Sequence, residues 1–172
     1  MKKVAVAMAL ALAWVLSARG PVLAAESEAK GNAALATALK EAKVSLEKGL
    51  AASQHEGKPI SAKFEVEDGK LQLSVYTMKA GKFSEVVLDH KTGKVSKTEA
   101  ITGGEDLTAA KEQGEAMAKA KLSLVAATKR ALKANPGFRA VSVAPALEDG
   151  HPMAAVTLVK GQELQTVSEK LD

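Results

Sequence analysis

The strongest constraint on this chain is that it repeats itself. "AKVSLEKGLAAS" (Ala42–Ser53) and "AKLSLVAATKRAL" (Ala120–Leu132) share an Ala-Lys-apolar-Ser-Leu opening, 78 residues apart. "VEDGK" (Val66–Lys70) and "LEDGH" (Leu147–His151) match at a spacing of 81, and "KAGKFSEVV" (Lys79–Val87) resembles "KGQELQTVS" (Lys160–Ser168). Ala and Lys recur everywhere, so low complexity could mimic part of this. The Glu-Asp-Gly match and the conserved order of all three pairs argue for one unit used twice.

Each copy carries the same local instructions. Ala-rich stretches, Glu28–Lys43 and Asp106–Lys121, favour helix. Ser45 and Ser123 then precede a Leu-led periodic segment, where a serine side chain can cap an unpaired N–H of the first helical turn. Val44 and Leu122 stand where a hydrophobic staple would. Gly57-Lys58-Pro59 and Asn135-Pro136-Gly137 stop the helices. Ile60, Ala62, Phe64 and Val66 alternate with polar residues, the period of a half-buried strand. Asp68-Gly69 turns the chain back into Leu71, Leu73 and Val75, and Ala80-Gly81 leads to Phe83–Leu88. The second copy repeats this with Val141, Val143 and Leu147, Asp149-Gly150, Ala154, Val156 and Leu158, then Leu164–Val167. Pro145 and Pro152 mark its strands as edge-like or irregular, because proline donates no ladder bond. The expected class is α+β: two tandem units, each with one or two helices on a three- to four-stranded antiparallel sheet. The expected units span residues 26–102 and 103–172, with "ITGGED" (Ile101–Asp106) at the boundary, and the second lacks or truncates its last strand.

Composition limits what such a scaffold does. Lys2 and Lys3, an apolar run Val4–Leu16, Gly20-Pro21 and a small-residue site at Ala24 or Ala25 read as a cleaved secretory signal over residues 1–25. The run is too short to span a bilayer. Without Lys2, Lys3 and Arg19, 21 basic residues face 20 acidic ones, so no electrostatic footprint for nucleic acid survives. Export with zero Cys leaves an oxidising compartment unused for disulfides. The expected location is outside the bacterial cytoplasm, periplasmic or secreted, with no stable membrane insertion after cleavage.

"VLDHKTGKV" (Val87–Val95) sets Asp89 beside His90 and tests whether this is an enzyme. Turn chemistry accounts for it. The Asp89 carboxylate can accept bonds from N–H groups about two residues on. Gly93 can take the left-handed conformation that closes the loop, and His90, Lys91 and Thr92 point to solvent. On a strand an Asp cannot readily orient its neighbour's ring, since successive side chains face opposite ways. His55, His90 and His151 lie far apart and do not supply the three or four convergent ligands of a zinc site. Ser45 and Ser123 have capping roles. Gly103-Gly104 lacks the lysine and spacing of a phosphate loop. These residues imply no catalytic, metal-binding or cofactor-binding site, and no cofactor.

The Ser-Leu helix start, a strand, "EDGK", a strand, and "VVLDHKTGKV" together resemble the PepSY domain family. The apolar pair followed by Asp-x-x-Thr-Gly-Lys-Val falls on Val86, Val87, Asp89, Thr92, Gly93, Lys94 and Val95. The resemblance covers Val44–Thr98, and Leu122–Asp172 more weakly. It implies a helix-plus-antiparallel-sheet fold, similar in outline to cystatin-like and β-lactamase-inhibitor-protein folds, without catalysis, and a role in inhibiting or regulating a peptidase. The expected function is a non-enzymatic exported module that engages a protein or peptide partner. Its candidate contact residues are the turns Asp68, Gly69, Asp89, His90, Thr92, Gly93, Asp149 and Gly150, or an exposed sheet edge. The competing expectation is an envelope sensor that binds a small ligand or metal through turn histidines and carboxylates.

Overall fold

Two serines decide where the principal helices begin. Ser45 and Ser123 are both extended (φ −83° and −79°), and their hydroxyls accept from Lys48 N (3.3 Å) and Ala126 N (3.2 Å). Each bond satisfies a backbone donor that the first helical turn leaves free. The computed structural model describes residues 31–172, so the signal-like segment at residues 1–25 lies outside the described residues.

Residues 31–38 are helical (α1) and pass through a 3-10 turn, Leu39–Glu41, into the capped helix α2, Leu46–Ala52. Four strands follow: β1 Lys58–Glu67, β2 Lys70–Lys79, β3 Lys82–Leu88 and β4 Val95–Ile101. Then come α3 Gly104–Lys119, α4 Leu124–Ala134, β5 Arg139–Glu148, β6 His151–Lys160 and β7 Glu163–Lys170. Helix α1 gives way to the 3-10 turn before the expected Lys43 because the chain straightens at Ala42 (ψ 123°).

All strands pair antiparallel in one sheet of order β4-β3-β2-β1-β5-β6-β7. The sequence left open whether the two three- to four-stranded sheets join, and they do, edge to edge through β1 and β5. The junction is narrow: β1 and β5 share only the pairs Ala62–Val143 and Lys63–Ser142. An irregularity at Ile60 in β1 and another at Val141 in β5 limit it, each placing an extra residue against the neighbouring hairpin strand. Strand β5 is an inner strand, not an edge. Pro145 is tolerated because β5 has already left β1 there, so no ladder bond to β1 is lost. Pro152 sits at the second residue of β6.

Helix α2 packs on β1 and β2, α4 on β5, β6 and β7, and the two helices touch over the junction. Leu46, Leu50, Leu73, Val75, Val86 and Leu88 from the first half and Val143, Val156 and Leu158 from the second are almost wholly buried. They belong to one continuous apolar cluster. Gly49 is required where α2 meets the sheet, since a Cβ there would come within 2.7 Å of the Leu73 side chain. Helix α3 lies against β5, β6 and β1, with Gly114 against Phe83 and Met78.

Equivalent bonds recur along the chain. His90 O accepts from Lys43 N and Val44 N (2.9 and 3.0 Å), and Leu171 O accepts from Lys121 N and Leu122 N (2.7 and 2.9 Å). At the start of β1, Lys58 Nζ donates to Met117 O at 2.8 Å. At the start of β5, Arg139 donates to Leu39 O (2.9 Å), Ala42 O (3.1 Å) and Val44 O (2.7 Å). Each half thus pins the carbonyl end of the other half's leading helix.

Candidate functional site: turns at two ends and a polar sheet face

The turn chemistry read from the sequence is present at every bend. Asp68-Gly69 (φ 48° and 74°) and Asp149-Gly150 (φ 50° and 82°) have the consecutive positive φ of tight hairpins. Gly93 takes φ 76°. The Asp89 carboxylate accepts from Lys91 N (3.0 Å), Thr92 N (2.6 Å) and Thr92 Oγ1 (2.9 Å), while Asp89 N donates to Lys94 O at 2.9 Å. The bonds from Thr92, backbone first and then hydroxyl, hold the Asp89 carboxyl below its usual range. These are the bonds of a closed loop with the carboxylate as its hub.

His90 departs from the solvent-pointing role expected of it. Its Nδ1 is shielded and has no hydrogen-bond partner among the described residues, and its carbonyl anchors the chain entering α2. Sequence alternation could not show this, because the packing partner, the segment at Lys43–Val44, is remote along the chain.

The candidate turns separate into two groups. Strands β1 and β3 run the same way, so Asp68-Gly69 and Asp89–Gly93 meet at one end of the sheet. There Asp68, Gly69, Asp89 and His90, but not Thr92 or Gly93, border a groove of about 600 Å³ that Glu41 and Lys91 also line. Strand β5 runs opposite to β1, which carries Asp149-Gly150 to the far end, where His151 Nδ1 lies 3.2 Å from Asp172 Oδ2. No single partner surface made of turns alone contains all eight candidates. Among the described residues no three His, Asp or Glu side chains gather where they could hold a metal ion.

The sheet itself supplies a surface that the sequence reading missed. Opposite the face formed by Ala62, Phe64, Leu73, Val75 and Val86, one registered row crosses all seven strands. It runs Lys97, Val87, Ser74, Lys63, Ser142, Thr157 and Thr166. A parallel row on the first half runs Ser61, Tyr76, Glu85 and Glu99. Lys63 Nζ reaches Glu65 Oε2 at 2.7 Å and stands 5.7 Å from the Tyr76 ring centre. Ser74 donates to Glu65 at 3.1 Å and accepts from Gln72 at 2.9 Å. Lys97 pairs with Glu99 at 2.8 Å. On the second half the row is uncharged, and Thr157 and Thr166 hydroxyls lie 3.1 Å apart. Helix α3 bounds this face at β1, where Ser61 donates to Gln113 at 2.7 Å.

Burial and neighbouring charge tune this cluster. Burial pushes the Tyr76 phenol up to about 12, helped by the Glu85 and Glu65 carboxylates. Burial works against the Lys63 charge, but Tyr76 and Glu65 outweigh it and hold its pKa above the ordinary lysine value. Burial also raises the Glu85 pKa, and repulsion from Glu65 and Glu67 adds to it. The alternation of Ser61, Lys63 and Glu65 with apolar residues was the available signal. What it lacked was the register that lines the polar positions of neighbouring strands into rows.

Among the described residues, no helix is long and apolar enough to cross a membrane. No family model matches this chain, and no curated protein matches it in sequence. Among solved structures, it is similar to a "putative lipoprotein" from Clostridium difficile 630, over 66% of this chain and 75% of that one. The identity is 11% and the TM-score 0.41, a distant likeness from which neither family nor function transfers.

Proposed function

We propose that this protein is a non-catalytic, exported module that binds a protein or peptide partner, built from two PepSY-like units fused into one sheet. The observation that carries the reading is the registered row across all seven strands, polar on every strand except β3, where Val87 stands. Lys63, Lys97, Ser142, Thr157 and Thr166 of the row offer hydrogen-bonding groups along one extended surface, while Ser74 is buried beneath it, bonded to Glu65 and Gln72. Rigid, pre-ordered polar groups lower the ordering cost of association. The residues that resemble catalytic parts have backbone roles: Asp89 closes its loop, and Ser45 and Ser123 cap helices. The tandem reading is supported by the paired caps, the paired anchoring carbonyls of His90 and Leu171, and the crossed Lys58 and Arg139 bonds. All of them recur 78 to 81 residues apart. Export and a peptidase as partner rest on the signal-like segment and on the PepSY resemblance.

The test is capture of a partner from the exported fraction by the tagged protein, compared with a variant carrying Ser142→Trp and Thr157→Trp on the sheet face. Capture that is lost in the folded double variant supports the reading. Capture that both proteins share equally overturns the sheet face as the contact. If the partner is a peptidase, its activity should fall as the protein reaches stoichiometric amounts. The competing sensor role requires a divalent ion to raise the melting temperature through linkage. We expect no rise at millimolar concentrations.

A further inference from the structure

Strand β4 is the free edge of the first half. Among the described residues only β3 pairs with it, and Val95–Ala100 are exposed while Ile101 is half-buried. An edge strand presents a row of backbone N–H and C=O groups that can pair with another chain. Side-chain direction and charge set which chain fits. Partners across an antiparallel ladder point to the same face, and successive residues alternate. A two-fold pairing of β4 with itself must therefore centre on one residue that faces its own copy. Centring on Lys97 or on Glu99 sets that charge against itself, which destabilises an antiparallel pair. Centring on Thr98, the midpoint of Val95–Ile101, sets Lys97 against Glu99 of the second copy twice over, with Ser96 against Ala100. Lys97 and Glu99 already share one face and lie 2.8 Å apart. A second copy in this register completes a ring of two ammonium and two carboxylate groups. The opposite edge, β7, has no such register. Centring on Thr166 opposes Glu163 to Glu169, centring on Val167 opposes Leu164 to Lys170, and Gln165 is bonded to Asn135.

We propose that two copies of this chain pair through β4, antiparallel and centred on Thr98, so that their sheets run on into each other. Charge complementarity identifies the occupant of the edge as a second copy, since opposite charges face each other in this register and like charges in the two beside it. Ser96 is an extra residue at the irregularity against Val87 and Leu88, and its hydroxyl donates to Val87 O at 3.0 Å. Lys97, Thr98 and Glu99 are therefore the regular centre of the ladder. So short an edge buries less than the roughly 1,200 Å² typical of stable complexes, and the dimer is a weak one. Its charge pairs are exposed and screened by salt, so it weakens as ionic strength rises. The pairing uses the sheet edge and not the polar row at β1 and β5–β7, so it stands independently of the partner-binding reading.

Sedimentation equilibrium of the full protein, from micromolar to millimolar concentration, tests this. The expected result is a monomer–dimer equilibrium that weakens on adding sodium chloride. Lys97→Glu and Glu99→Lys each set like charges across the axis, and each should weaken the dimer about tenfold or more, tenfold being about 1.4 kcal/mol. An equimolar mixture of the two variants should dimerise again, because every altered charge then faces its opposite. Both residues are exposed, so both variants keep the fold, which circular dichroism checks. In the wild type, amide exchange on β4 should slow as the protein concentration rises. A wild type that stays monomeric at millimolar concentration overturns the proposal. So do single variants that dimerise as tightly as the wild type, or a mixture that associates no more tightly than either variant alone.

Discussion

At Glu85 the cost of burying a carboxylate on the sheet becomes measurable. Its folded pKa lies above the unfolded one, so the folded state binds its proton more tightly. Below the ordinary glutamate range the group is neutral in both states and costs nothing. As pH rises through the unfolded and then the folded pKa, ionisation penalises the folded state. Glu85→Gln should therefore raise the melting temperature at pH 7, and its advantage over the wild type should fade as the pH drops below about 4. Asp89 has the opposite sign. Its folded pKa is depressed, chiefly by Thr92, so its contribution is fully present above the unfolded carboxylate range and is lost as pH falls through the folded value. Asp89→Ala should lower the midpoint of urea unfolding at neutral pH and converge on the wild type in acid. Parallel unfolding curves with a pH-independent gap would show that the loop depends on packing and not on the charged hub.

At the scale of elements, stability turns on how the helices are closed. Ser45 and Ser123 each satisfy one N–H of a short helix, and replacing either with Ala should cost about 1 kcal/mol by chemical denaturation. Arg139 binds three carbonyls where α1 and its 3-10 turn give way to α2, and its guanidinium lies 5.3 Å from the Phe64 ring centre. A charged donor serving several buried acceptors is worth more than a neutral one. Arg139→Met should cost about 2 kcal/mol, and Arg139→Lys should recover only part of that, because an ammonium lacks the fork. Lys58, with its single bond to Met117 O, should prove the weaker of the two pins when changed to Met. Equal losses at the two positions would contradict the role assigned to the guanidinium fork.

At the scale of the molecule, a two-pair junction joins the halves of the sheet, but the core beneath it is continuous. Helices α2 and α4 touch across the junction, Val143 packs with the first half's apolar residues, and Arg139 ties β5 to the chain before α2. Full-length protein should therefore unfold in one transition that coincides by circular dichroism and by Tyr76 resonances. Residues 26–102 alone should fail to give a cooperative transition, since they lose Arg139 and expose the β1 edge. A cooperatively folding 26–102 segment would mean that the two halves are independent domains.

Sequence by itself determined the parts of this protein governed by local backbone demands. Ser45 and Ser123 as caps, Asp68-Gly69 and Asp149-Gly150 as hairpins, and the Asp89–Gly93 loop follow from capping, positive φ and side-chain-to-backbone bonds over two or three residues. The α+β class follows from the same periods. Tertiary structure alone decided that the sheets merge at Ala62–Val143, that proline-bearing β5 becomes an inner strand, and that His90 is held against the chain entering α2. It also decided that the candidate turns separate to opposite ends while polar positions from six of the seven strands align into a row. Those outcomes depend on register and strand direction across contacts distant in sequence, where the energy comes from burying shared apolar surface and no local pattern records the partner.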